Sequence, residues 1–405
     1  MPSQKRARES RQGIPSAKGK TPKGTYSGYL DARLTFQQLA KERKKQLQRI
    51  SRLRGGRDVL VYAADLNRTD VPSAITFEDL IAIRDQLSSL RGKSLDLILE
   101  TPGGSGEVAE DIVRTLRAER ENLGVIVPGW AKSAGTIMAM AADEILMEPS
   151  SALGPIDAQV VWQGKQFSAG ELLDGMERIK AEVQTSGQLN KAYIPILQGI
   201  SPGELRRAEN AQHFSQALVT DWLARFKFRD WTEHSSSNEP VTDAERRDRA
   251  AEVAAQLCDH RRWLTHGRSI TPADLTAMRL RITDYAATPD LADAIRRYYT
   301  LLRMTFSSNC YKLFETTGSQ VYRFFGPTPP LPEPSPRIAE IEVRCASCGA
   351  IHKVQANLGS ARPLRQGNIG FPPNDKLECP NCGQEVDLSD QRRQIEAVAK
   401  KPVVT

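Results

Sequence analysis

At 405 residues the chain has room for two or three domains, and its 40% apolar and 26% charged content is that of a protein with a packed core. The formal charge of +7 is lopsided: residues 1–57 hold 16 Lys and Arg against three acids (Glu9, Asp31 and Glu42), a net +13, which leaves about −6 for the remainder. Neither a membrane span nor a secretory leader is expected, and with them a cytoplasmic location is: the most apolar long stretch, Val125–Met147, is broken by Pro128, Lys132, Asp143 and Glu144, and Lys5, Arg6, Arg8 and Arg11 lead into Gly, Pro and Ser.

Residues 1–28 are rich in Lys, Arg, Ser, Gly and Pro without hydrophobic periodicity, and disorder is expected there. A basic helix from Leu34 to Leu53 stops before Gly55-Gly56. Residues 1–56 therefore read as a basic arm, either a solvated tail or a contact for a polyanion such as nucleic acid. Short apolar runs and amphipathic helices then alternate. Asp58–Ala64 reads as a buried strand, and Thr76–Leu90 as a helix with Thr76 as N-cap and Glu78 and Asp79 in its first turn. Leu95–Glu100, Val125–Val127 and Glu144–Met147 read as strands, with helices over Glu107–Arg117 and Ser133–Ala142 between them. This order predicts an α/β fold with a parallel sheet and right-handed crossovers. Pro202–Phe306 is mostly helical and Val321–Phe325 extended, which closes a body over 57–326. Pro327–Pro336 then reads as a stiff polyproline-like linker, the separating segment being 327–337.

Two loops follow strands at one edge of that sheet. In Thr101-Pro102-Gly103-Gly104-Ser105-Gly106 the paired glycines let the backbone turn sharply and aim its N–H groups outward, although a plain strand-to-helix turn would look the same. Gly129–Thr136 places Ser133 at the start of a helix of Ala, Gly and Met, where a serine can simply cap. Its small neighbours leave the hydroxyl accessible, however. The N–H groups of Ala134 and Gly104 could meet one carbonyl oxygen, which is an oxyanion hole.

The stretches LDLILETPGGSGEVAEDIVRTLR, WAKSAGTIMAMAADEILM and EPSSALGPIDAQ, and later RWLTHGRSITPADL, together span most of residues 58–306. They resemble the Clp-protease and signal-peptide-peptidase-A class of serine peptidases, and more narrowly the serine dehydrogenase proteinases. The resemblance implies a Clp-protease/crotonase-like superhelical fold, Ser133 as nucleophile, Gly104 (or Gly103) with Ala134 as oxyanion donors, and a homo-oligomer. It leaves the general base open. Clp-type subunits carry a histidine on the strand after the nucleophile helix, which corresponds to Pro149–Asp157; here Ile156 and Asp157 stand instead. Signal-peptide-peptidase relatives use a lysine several dozen residues past the serine, a spacing that Lys180 meets, although a solvated helix lysine would read alike. His266 lies just ahead of the last crossover, near where Clp-type subunits carry their triad aspartate. Beside Gly267 and Arg268 it could equally anchor a loop.

Cys345-Ala-Ser-Cys348-Gly and Cys379-Pro-Asn-Cys382-Gly form two knuckles about thirty residues apart. Four thiolates in tetrahedral array select Zn²⁺, so a structural zinc ribbon is expected over 338–390, with 391–405 as a tail and His352 outside the ligand set. Taken together, the residues predict a serine endopeptidase-type hydrolase acting on peptide or protein substrates. A crotonase-type acyl-CoA enzyme shares the paired N–H donors but needs no nucleophile. A non-catalytic adaptor built on the zinc ribbon and the basic arm is the other alternative.

Overall fold

Asp58–Ala64 (β1) is apolar at consecutive positions, as a strand covered on both faces must be. It pairs in parallel with Ser94–Glu100 (β2), and the parallel order continues through Asn122–Ile126 (β3), Glu144–Met147 (β4) and the short Thr283–Asp284 (β5). On its other side β1 pairs antiparallel with Cys310–Thr316 (β6), which turns back into Gln320–Phe324 (β7). The seven-stranded sheet thus reads β7-β6-β1-β2-β3-β4-β5. The computed structural model describes residues 24–162, 165–234, 236–326 and 337–405. The basic stretch before residue 24 and the proline-rich 327–336 lie outside the described residues. The chain divides into two units, Met1–Gly326 and Pro327–Thr405.

The main helices of the first unit are Phe36–Leu53 (α1), Glu78–Leu87 (α2), Gly106–Arg117 (α3), Ala134–Met140 (α4), Ala169–Ser186 (α5), Pro202–Trp222 (α6), Asp243–Cys258 (α7) and Pro289–Phe306 (α8). Strand periodicity sorts the core into two layers. Leu60, Tyr62, Leu97 and Leu99 pack with Ile83, Ile112, Met138 and Val219 on one face of the sheet. Val59, Val61, Ala63 and Ile98 pack with Leu47, Ile50, Ile295 and Leu302 on the other. Thr76 does not cap α2 with its side chain; instead its N–H donates to Asp79 Oδ2 at 2.9 Å.

The helical half of the basic segment is part of the body, not of an arm. Leu39, Arg43, Leu47 and Ile50 recur at helical spacing on one face of α1 and are all buried. Arg43 Nε donates to Glu315 Oε1 at 2.9 Å, and its other nitrogens reach Thr305 Oγ1 and Tyr322 OH. Tyr298 OH donates to the same Glu315 oxygen at 2.6 Å. Lys44, Arg49, Arg54 and Arg57 pair with Glu315, Asp293 and Asp96. These cations neutralise carboxylates of the fold itself. The stretch before residue 24 holds a further seven Lys and Arg against Glu9.

The second unit is a small β module. Ile338–Arg344 (β8) and Ile351–Leu358 (β9) form a hairpin, joined by Ile369–Gly370 (β10), and Lys376–Glu378 (β11) pairs with Glu385–Asp387 (β12). Residues 391–405 are not a loose tail. Ser389–Ala399 (α9) leads into Val403–Val404 (β13), which pairs with β9, and Ala399 and Val403 join Val354, Leu358 and Phe371 in the module's core. Among the described residues, no helix is long and apolar enough to cross a membrane.

Removing Arg43 leaves a fully buried carboxylate with only the Tyr298 hydroxyl and the more distant Lys44 ammonium, 3.6 Å away, to hold it. Arg43→Met is therefore expected to lower stability in urea unfolding by about 3–5 kcal/mol. Arg49→Met, which breaks a partly exposed pair, should cost less than about 1 kcal/mol. Equal losses from the two variants would show that α1 docks through its apolar face alone.

Candidate active site

Beyond β2 and β3 the chain pairs for one further step. Thr101 N donates to Trp130 O and Lys132 N to Thr101 O, both at 3.0 Å. The two glycine-containing loops therefore leave the sheet side by side at the carboxyl edge of its parallel strands, where sheets of this kind place ligands. Gly103 has φ +101° and Gly104 +149°. A Cβ on Gly103 would stand 2.7 Å from Ser133 Cβ, and one on Gly104 would stand 2.3 Å from Ile75 N. Only glycine fits either position. Ile75 clasps the loop from outside, donating to Gly103 O at 2.7 Å and accepting from Ser105 N at 3.2 Å. The residue before it is held too: Ala74 O accepts from Lys312 Nζ at 2.9 Å, and that buried lysine pairs with Asp79 at 3.0 Å.

Ser133 adopts φ 50° and ψ −117°, a strained backbone for any residue with a side chain. Such a conformation costs about 1–3 kcal/mol and persists only where the surroundings impose it. Here Gly135 N donates to Lys132 O and Thr136 N to Ser133 O, both at 2.8 Å. The buried Thr136 hydroxyl donates toward Ala131 O and Gly154 O and accepts from Gly154 N at 3.0 Å. Ser133 stands at the N-cap position of α4, yet its side chain caps nothing. Ala134 N and Gly104 N have no acceptor among the described residues, whereas Gly103 N donates to Thr101 Oγ1 at 3.2 Å. Of the two glycines, Gly104 keeps its donor free.

A cavity of about 680 Å³ opens over these loops, lined by Gly103, Gly104, Ser133, Ala134, Asp157 and His266 among others. The segment of Asp157 is fixed by Ile156 N donating to Leu257 O at 3.0 Å. The His266 loop is closed by Leu153 and Ile270, which exchange two backbone bonds of 3.0 Å. His266 Nδ1 lies 2.5 Å from Oδ1 of the buried Asp157, whose Oδ2 accepts from Gln159 Nε2 at 2.8 Å. A carboxylate on Nδ1 keeps the proton there and leaves Nε2 as the basic nitrogen. Ser133 and His266 face one cavity without a direct hydrogen bond, and such bonds often tighten only when substrate is bound.

The His266–Asp157 pair reverses the order in which the resemblance places a histidine and an aspartate. Asp157 occupies the segment where Clp-type subunits carry histidine, and His266 the region where they carry aspartate. Sequence reasoning named His266 but passed over Asp157. The signal was there in the pair: a missing base in one segment and a missing acid in the other. Lys180 is not brought to the cavity. It lies on the solvent side of α5, 63% exposed, with Nζ 3.3 Å from Glu177 Oε1. It has none of the desolvation that a neutral lysine base requires.

In the second unit Cys345, Cys348, Cys379 and Cys382 bring their sulfurs within 4.8 Å of one another. Cys345–Cys382 and Cys348–Cys379 are separated by 3.6 and 3.7 Å. A tetrahedral ion with bonds of about 2.3 Å to sulfur has edges of about 3.8 Å, so the quartet fits one four-coordinate metal. The two knuckles are built alike. Gly349 N donates to Cys345 O at 3.0 Å and Gly383 N to Cys379 O at 2.9 Å, with φ near +75° at both glycines. His352 Nε2 stands 3.2 Å from Cys379 Sγ, placed to hydrogen-bond a ligand sulfur.

Residues 29–191 match the family described as ClpP-like SDH-type serine proteinase. The match takes in Ser133, both glycines and Asp157, and ends before His266. Two uncharacterised proteins of Methanocaldococcus jannaschii are similar to this chain. One is 33% identical over 157 residues, 37% of this chain and 52% of that protein. The other is 32% identical over 149 residues, 34% of this chain and 47% of that protein. The chain thus spans about half the length of the curated relatives it matches. Among solved structures, one mutant of the 1510-N membrane-bound stomatin-specific protease is 25% identical, with a TM-score of 0.20 over 28% of this chain and 60% of that one. A second mutant of that protease, in complex with a substrate peptide, is 15% identical, with a TM-score of 0.29 over 63% and 89%. The family match supports a serine peptidase.

Asp157→Asn leaves the shape of the site but loses the charge that orients His266. Steady-state hydrolysis of a fluorogenic peptide is expected to lose about 10²–10⁴-fold in kcat. Lys180→Ala should keep its rate within about twofold. The opposite ranking would transfer the base to the lysine.

Proposed function

We propose that this chain hydrolyses peptide bonds through an acyl-enzyme on Ser133, with His266 as general base, Asp157 as its orienting acid, and the N–H groups of Gly104 and Ala134 as the oxyanion hole. The observation that carries the reading is the strained Ser133, its hydroxyl unused, facing one cavity with a His266–Asp157 pair. In the first half-reaction His266 Nε2 takes the Ser133 proton as Oγ attacks the scissile carbonyl. The oxyanion that forms meets the two free donors, each worth about 2.7–4 kcal/mol in hydrolases where one has been removed. The imidazolium then protonates the leaving amine as the C–N bond breaks. Water, deprotonated by the same nitrogen, releases the second product and restores Ser133. A crotonase-type acyl-CoA reaction would not need the strain held at Ser133. A homo-oligomer belongs to this proposal on the resemblance alone.

The metal of the second unit is read as zinc, since four cysteine sulfurs in a tetrahedral array suit a soft, four-coordinate ion. Bound by Cys345, Cys348, Cys379 and Cys382, it would tie the β8–β9 and β11–β12 hairpins and has no part in the hydrolysis.

A fluorophosphonate probe is expected to label Ser133 alone. Ser133→Ala should lose both the label and the hydrolysis while keeping its circular dichroism spectrum, and undiminished hydrolysis by this variant would end the proposal. Elemental analysis should find about one zinc per chain. Chelation should unfold residues 337–405 and leave the helical signal of the body in place; four freely titratable thiols with no metal would contradict the assignment.

A further inference from the structure

We infer that Lys132 is a positioning residue that latches the loop carrying His266 onto the segment carrying Ser133. The inference rests on the serine-peptidase reading of the site. Lys132 immediately precedes the nucleophile, and its backbone is already committed to Thr101 O and Gly135 N. Its side chain crosses to the base loop. Nζ donates to Leu153 O at 3.2 Å, Arg268 O at 3.1 Å and Ser269 Oγ at 3.0 Å, and lies 3.5 Å from Gly267 O. An ammonium has three donors, and here all three have protein acceptors.

Three features set this lysine apart from a solvated one. Its stem lies against Gly154, where a Cβ would stand 2.7 Å from Lys132 Cδ, so the route exists because that position carries no side chain. Its charge has no carboxylate partner among the described residues. Burial pushes its pKa down, and neutral oxygen dipoles take the place of water around it. Finally, Gly267 O and Arg268 O have no other donor among the described residues.

The rest of the loop is thinly held. Leu264 opens it with φ +66° and is 70% exposed. Thr265 N donates to Trp263 O and Arg268 N to Thr265 O, both local bonds, ahead of the Leu153–Ile270 closure. His266 itself is tied to Asp157 through Nδ1, which fixes that nitrogen but lets the ring swing about the contact. Lys132 supplies the second fixed point, one residue away in sequence from Oγ. Charge-assisted bonds are stronger than neutral ones, so one side chain suffices to hold three oxygens. A displacement of about 1 Å between base and nucleophile is enough to cost about 10²-fold in rate.

The test uses the full chain with Lys132→Met, which keeps the apolar stem and removes the donors. The expected result is a fall in kcat of about 10–100-fold with KM within about twofold, and an equal fall in the rate of fluorophosphonate labelling of Ser133. Hydrogen exchange of the amides of residues 265–270 should quicken, with the remaining body unchanged. Lys132→Arg, which retains stem, charge and donors, should restore most of the rate. Unchanged kcat together with unchanged exchange overturns the latch. So does a loss as complete as that of Ser133→Ala with exchange unaltered, since Lys132 would then act in the chemistry. If Lys132→Met does not fold, Ser269→Ala removes a single acceptor. A smaller loss, about 2–5-fold, with faster exchange in the same loop supports the latch, and no change in either overturns it. A wild-type protein that takes no label would end the peptidase reading, while the exchange comparison would still decide the latch.

Discussion

The active-site end of the sheet is organised by two missing side chains. Gly103 lies against Ser133 and Gly104 against Ile75, each closer than any Cβ would allow. That double contact lets the backbone of one loop press on Ser133 while a passing extended segment grips it from the other side. With Gly103 N bonded to Thr101 and both carbonyl contacts of Ile75 in place, Gly104 N is left facing the cavity unpaired. The strained φ of Ser133 follows from the same crowding, because the chain must pass Gly103 and enter α4 within one residue. Lys312 and Asp79 hold Ala74 and Thr76 from beneath, so the clasp is itself fixed by a buried ion pair.

The remaining groups reach the cavity from distant parts of the chain. Asp157 comes from the segment after β4, and His266 from the loop after α7. Geometry, not order along the chain, brings such groups together. Lys132 joins the two halves physically. Its bonds run from the strand extension that leads to Ser133 to the Arg268 carbonyl and the Ser269 hydroxyl, near His266.

Electrostatics inside the body follow a similar economy of position. The cations of α1 and its exit, Arg43, Arg54 and Arg57, meet Glu315, Asp96 and Glu144 on the sheet and its edge. Glu100, at the end of β2, is buried, and burial raises its carboxyl pKa to about 7; it accepts from Trp130 N and Tyr299 OH. A carboxyl with a raised folded-state value favours the fold least once it is ionised. Its stabilising share is present at acid pH and is lost as pH rises toward that value. The segment that leads to Ser133 is thus anchored on a group whose protonation matters to stability.

Local pattern was enough for much of this protein. Apolar runs marked β1, β2 and β4, the glycine loop and the small-residue helix marked the two loops that line the cavity, and the cysteine spacing marked a four-sulfur site, because each of these signals lies within a few residues of chain. Other features depended on contacts across long separations. The basic helix α1 looked like an arm, since nothing near it in sequence says that Glu315 waits to receive Arg43, 272 positions away. Residues 391–405 read as a tail for the same reason, their partner strand being β9. Lys180 had the right spacing and the wrong side of α5. Asp157 had no local mark that pairs it with His266, because the two lie 109 positions apart and only folding sets them 2.5 Å from one another.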